Sequence, residues 1–178
     1  MNGVAKARRD FRNETFRQIS IVYGAAEIAL YRDYGWKDDR LMKAFEGAND
    51  IFMTECGREQ RKSVPQLLEE VTGINLKVDE NGRSWKELAV FNYDILDKRY
   101  SHQTPAMQIL MFKQEQKWLG VCLIAALLVS LYRNFDFDQD ELLRLMNDVA
   151  EIEMEYNLDG KRLEDDGKKL TGVAIFKE

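Results

Sequence analysis

"LYRDYGWKDDRLMKAF" runs from residue 30 to 45 and "LYRNFDFDQDELLRLM" from 131 to 146, so the chain makes nearly the same statement twice, 101 residues apart. At that offset Leu30, Tyr31, Arg32, Asp39, Leu41, Ile51 and Met53 meet Leu131, Tyr132, Arg133, Asp140, Leu142, Ile152 and Met154. Asp33/Asn134, Tyr34/Phe135, Trp36/Phe137 and Lys43/Arg144 are close exchanges. Two residues out of step, "TGINL" at 72–76 lines up with "TGVAI" at 171–175. The pattern predicts a diverged duplication of a helix–turn–helix–loop–strand unit. Residues 1–78 form the first unit, 79–102 a connecting turn and helix, and 103–178 the second, in one compact domain overall.

The periodicity fills in the unit. Phe16, Ile19, Tyr23, Ala26 and Leu30 stand at 3,4,3,4 spacing, the stripe of an amphipathic helix over 10–34 that Gly35 can end in the left-handed conformation. Asp38 and Asp39 suit the start of the next helix, where the dipole is positive, and Leu41, Phe45, Ala48, Ile51 and Phe52 supply its buried face. In the second unit Thr104 and Pro105 open a long central helix to about Arg133, burying Met107, Met111, Trp118, Cys122, Ala125 and Val129. Asp138 with Glu141 makes a capping box for the last predicted helix, whose stripe is Leu142, Leu145, Val149, Ile152 and Tyr156. Ile74, Leu76 and Val78, and "VAIF" at 173–176, read as short strands that pair across the pseudo-symmetry. The expected fold is therefore all-α or nearly so, with helical hairpins around a long central helix and at most a two-stranded ribbon.

The repeated turn reads as a structural joint: Tyr31/Tyr132, Tyr34/Phe135 and Trp36/Phe137 plug the corner, and Arg32 and Arg133 tether it to a carboxylate such as Asp39 or Asp140. Around 79–102, "DENGR" is a turn and "SWKE" opens a helix through Trp85, Leu88, Phe91 and Ile95.

With 45% hydrophobic and 32% charged residues, two prolines and eleven glycines among 178, the composition is that of a soluble helical protein. Cys56 and Cys122 have no CxxC and no neighbouring His, which argues against a disulfide framework or zinc site and for a reduced, cytoplasmic setting. The start of the chain lacks the apolar core of a secretory signal. The apolar run 118–131 is too short to span a bilayer, so no membrane association is expected.

The net charge of −5 is uneven: residues 134–166 hold 12 acidic side chains against 3 basic ones. That sign argues against direct nucleic-acid binding and points to a partner with a basic surface. The candidate contact residues are Asp136, Asp138, Asp140, Glu151, Glu155, Asp165 and Asp166. A small basic cluster, Lys6, Arg8, Arg9, Arg12 and Arg17, reads as a solvated first helical turn or a frayed end.

The stretch "ALYRDYGWKDDRLMKAF" at 29–45 resembles the helical hairpin of small accessory proteins of phages and prophages of Gram-positive bacteria, in which an aromatic, acidic, aromatic-Gly-aromatic turn precedes a helix opening near Arg-Leu. The second copy departs from it with Asp136 for Gly35 and Glu141 for Arg40. The resemblance implies a phage protein in a host cytoplasm.

No catalytic signature stands out. His102, the sole histidine, lacks a recognisable nucleophile beside it. Asp148, Glu151 and Glu155 share a helical stripe that, with Glu115 or with Glu69 and Glu70, would make a magnesium site of an all-α nucleotide pyrophosphohydrolase. The favoured expectation is non-catalytic and cofactor-free: an inhibitor or modulator of a host nucleic-acid enzyme or defence nuclease, CRISPR effectors among them, acting through the acidic face. A helical scaffold for a phage complex is the alternative, and a homodimer is compatible with either.

Overall fold

A computed structural model describes residues 3–56, 63–76 and 103–175, apart from the side chains of 111–118. The described residues form six α-helices and one π-helical segment, an all-α fold. They are α1 (Gly3–Tyr34), α2 (Asp38–Asp50) continued by a π turn (Ile51–Glu55), α3 (Val64–Thr72), α4 (Pro105–Phe135), α5 (Gln139–Glu155) and α6 (Gly160–Thr171). The expected helix over 79–102, with His102, lies outside the described residues.

Local sequence explains the helix ends. Thr104 caps α4, its hydroxyl accepting from the Met107 amide, with Pro105 in the first turn. Asp138 caps α5 in a full capping box: the Glu141 amide donates to Asp138 Oδ1 at 2.9 Å, and the Asp138 amide donates to Glu141 Oε2 at 3.0 Å. At the α1–α2 joint Gly35 takes φ +64°, and at the α4–α5 joint Asp136 takes φ +59°. Aspartate tolerates the left-handed region better than most residues, so both joints turn the same way.

The two Thr-Gly marks are helix ends and not lead-ins to strands. Gly73 and Gly172 end α3 and α6 at φ +77° and +79°. The preceding threonine ties each end: Thr72 Oγ1 donates to the Leu68 carbonyl and accepts from the Ile74 amide, and Thr171 Oγ1 accepts from the Val173 amide and shares its one hydrogen between the Gly167 carbonyl and the Glu27 carboxyl. Ile74 and Val173 then tuck into the core singly. No strand is present among the described residues, so the expected ribbon is corrected; Val78 and Phe176 lie outside them.

Packing runs crosswise. α1 lies mainly against α6, α4 and α5, while α4 lies mainly against α1, α2 and α3, and neither long helix packs extensively on the short helix that follows it. The centre is thus a pair of long helices, where a single central helix was expected. Each is buried all round where the pair meets: α1 continuously from Ile21 to Leu30, with Glu27 the charged exception in an apolar run, and α4 from Ala125 to Leu131, with Ser130 the polar one. Close approach of α2 to α4 depends on Gly47, where a Cβ would collide with Ser130 Oγ, and Ser130 Oγ in turn donates to the Ala44 carbonyl at 2.9 Å.

The joints also pack against each other. Trp36 and Phe137 are 3% and 5% exposed and meet edge to face at 5.5 Å; Phe135 sits 4.9 Å from Trp36, and Tyr34 4.9 Å from Phe137. Arg40 stacks over Trp36 at 4.2 Å.

Several expectations are corrected here. Tyr31 is half-buried under Lys37, and Tyr132 is exposed, so neither plugs its corner. Arg32 pairs with Glu155 and Arg133 with Glu55, not with Asp39 or Asp140, because crosswise packing brings the other unit's helix end alongside. Phe16 and Met107, expected in the core, are 61% and 42% exposed. The first helix begins at Gly3, well before residue 10, and takes in the basic cluster. The remaining predicted stripes of α2 and α5 are buried as read.

Candidate functional site

α5 carries six acidic residues, Asp140, Glu141, Asp148, Glu151, Glu153 and Glu155, against Arg144. Its apolar stripe faces α1, which turns Asp140 and Glu151 outward, about 16 Å apart along one line of the helix. The seven candidate contact residues do not form one patch. Asp136, Asp138 and Asp140 gather at the start of α5, Glu151 and Glu155 at its end, and Asp165 and Asp166 on α6 among Lys161, Arg162 and Lys169.

Three of the seven already have local work. Asp138 is the cap. Glu155 takes both Arg32 terminal nitrogens at 3.0 and 3.4 Å, which holds its carboxyl below the usual range. Asp166 receives Lys169 Nζ at 3.0 Å, with the same effect. Asp136, Asp140, Glu151 and Asp165 make no ion pair among the described residues. Of the stripe considered for magnesium, Asp148 lies instead beside Asp33, whose pKa is raised by burial and by that neighbour. No group of three His, Cys, Asp or Glu able to hold a metal occurs among the described residues.

Two clefts flank the α1–α4 pair at equivalent places. One, of about 430 Å³, is closed by α5; the other, of about 560 Å³, is closed by α2 and the π turn. Their linings match at the 101-residue offset: Gln18/Leu119, Val22/Leu123, Ile19/Gly120 and Tyr23/Ile124 along the long helices, then Phe45/Met146, Asn49/Ala150 and Phe52/Glu153 on the short ones. In the α5 cleft Arg17 is held by Glu14 at 2.7 Å, and burial raises Glu153. The α2 cleft is apolar and aromatic, with Phe16 and Met53 exposed at its mouth and Glu46 and Asp50 on its rim.

One buried acid escaped the sequence reading. Glu27, 2% exposed, lies between α1 and α6 with its carboxyl against the Thr171 hydroxyl; burial, reinforced by Glu164, raises its pKa to about 7 against the Thr171 hydrogen bond. Gly167 makes room for it, since a Cβ there would stand 2.6 Å from Glu27 Oε2. The available signal was a lone acid inside the run "AAEIAL".

No helix among the described residues is long and apolar enough to cross a membrane. What the fold defines is an all-α helical bundle with an acidic helix on one flank and an open apolar cleft on the other. Comparison with protein-family models, curated proteins and solved structures finds no match to this chain.

Proposed function

We propose that the chain is a non-catalytic interaction protein that binds a partner with a basic surface through the outward carboxylates of α5 and its flanks. The observation that carries this is the six-to-one acidic balance of α5, with Asp136, Asp140, Glu151 and Asp165 unpaired among the described residues. Charges not neutralised within the fold are free to steer and hold a cationic surface. A phage-encoded inhibitor of a host nucleic-acid enzyme or defence nuclease, working in the host cytoplasm, fits that chemistry, and the hairpin resemblance supports the phage setting. We further propose that the two units arose by duplication, which the paired joints, Thr-Gly caps and matched clefts support.

The test is capture of the tagged protein's partner from a bacterial lysate at low and high salt. A nucleic-acid enzyme retained at low salt and released at high salt is expected. Substituting Asp136, Asp140, Glu151 and Asp165 by Lys should weaken binding on the order of 100-fold or more while leaving the helical circular dichroism intact. Asp138 and Glu155 are left alone because one caps α5 and the other holds Arg32. Unchanged affinity in the fourfold variant would overturn the acidic-face reading.

A further inference from the structure

The α2 cleft carries a different inference, independent of the acidic helix. Its floor is apolar, built from Tyr23, Phe45 and Leu123, and at its mouth Phe16 is 61% exposed and Met53 46%. A phenylalanine standing in water beside an unfilled apolar groove leaves burial unrealised on both sides. On the opposite flank, Arg17 and Gln18 of the α5 cleft are both bonded to Glu14.

The charges around the mouth indicate what fills it. Arg9 and Arg12 are exposed on α1, two turns and one turn before Phe16; Glu46 and Asp50 are exposed on α2. Arg12, Glu46 and Asp50 make no ion pair among the described residues, and Arg9 reaches only its neighbour Asp10, at 3.9 Å. Because α2 meets α1 at the Tyr23–Phe45 ring contact of 5.0 Å, Glu46, next to Phe45, lies on the Tyr23 side of Phe16 and Arg12 on the other. The surface therefore reads cation, aromatic, cleft, anion in line. A two-fold rotation about an axis between Phe16 and the cleft reverses that order, setting each aromatic against the other copy's cleft and each sign against its opposite, as an isologous interface requires.

We propose that this face binds a second copy of the chain: Phe16 of each copy seats in the other's α2 cleft, and Arg12 of each lies against Glu46 and Asp50 of the other. The same patch supplies both halves of the contact, and α5 stays outside it.

The experiment is sedimentation equilibrium of the full chain over a wide concentration range, with circular dichroism as the folding control. The wild type should reach twice its 20.8 kDa mass. Phe16→Asp and, separately, Met53→Lys should both be monomeric; both side chains are exposed, so one serves if the other fails to fold. Arg12→Glu alone and Glu46→Arg alone should each weaken the dimer by about tenfold or more, and the double exchange should recover affinity to within about threefold of wild type. A monomer at all concentrations, a dimer that survives Phe16→Asp and Met53→Lys, or a double exchange no tighter than the single variants would overturn the proposal.

Discussion

The two flanks of the α1–α4 pair start from matching positions and end differently. Where α2 places Phe45, Asn49 and Phe52, α5 places Met146, Ala150 and Glu153, and where α1 brings Ile19 and Tyr23 to one cleft, α4 brings Gly120 and Ile124 to the other. One flank is aromatic and larger in volume, beside an exposed phenylalanine; the other is smaller, with its arginine held at home by Glu14. A helical framework can thus share its joints and Thr-Gly helix ends on two flanks while the side chains lining equivalent hollows make the flanks chemically different. Joints tolerate little because they are buried; cleft mouths tolerate much because water fills in for whatever is lost.

The joints offer the sharpest way to break the likeness. Trp36→Ala and Phe137→Ala each remove a buried ring from the shared aromatic cluster, and each should cost about 3–5 kcal/mol in urea denaturation followed by circular dichroism. Equal losses mean that the joints carry equal weight; a loss confined to one would make the likeness a matter of shape alone.

The next contrast is between α1 and α4 themselves. At the offset that aligns the joints, Glu27 corresponds to Leu128, and both are fully enclosed. Glu27 titrates near 7 in the folded chain and at an ordinary carboxylate value when unfolded, because burial disfavours the anion. Folding thus takes up a proton between those two values. The contribution of Glu27 is fully present below about pH 4.5, is lost as pH rises toward 7, and is level above that. Thermal melts of wild type and Glu27→Gln across pH 4–8 should diverge between about pH 4.5 and 7 and then run parallel, with Gln the more stable at the upper end. Parallel curves would mean that Glu27 ionises without penalty.

The smallest effect separates the two short helices. α5 begins with a complete capping box, while α2 begins at Lys37 with no side-chain cap. Asp138→Ala should cost about 1 kcal/mol, and Lys37→Ala should cost no more than about 0.5 kcal/mol, through its contact with Tyr31 alone. Comparable losses would show that the α2 end is fixed by something other than its own first turn.

Much of this architecture was legible in the chain. Gly35 as a left-handed stop, Thr104 and Asp138 as caps, and the stripes of α2 and α5 all stand where spacing and residue type put them, since each depends on atoms within a turn or two. Errors gathered where a distant neighbour decides. Phe16 obeys the α1 stripe but meets a cleft where a helix would have covered it. Arg32 and Arg133 find their carboxylates not at their own joints but far along the chain, at Glu155 and Glu55. Thr-Gly followed by apolar residues reads equally well as strand or as plugged helix end, and only the presence of a pairing edge could choose.

The caps at Thr104 and Asp138 and the two left-handed turns are properties of the amino-acid order, because the hydrogen bonds and backbone torsions that set them close within about four residues. The crosswise pairing of α1 with α6 and α4 with α3 is a property of the folded chain alone. It places Arg32 beside Glu155, walls in Glu27 against Thr171, and leaves Phe16 at an open cleft. Those outcomes follow from how apolar faces from far apart in the chain fill one another's space, which is a condition on the whole packed interior and not on any local stretch.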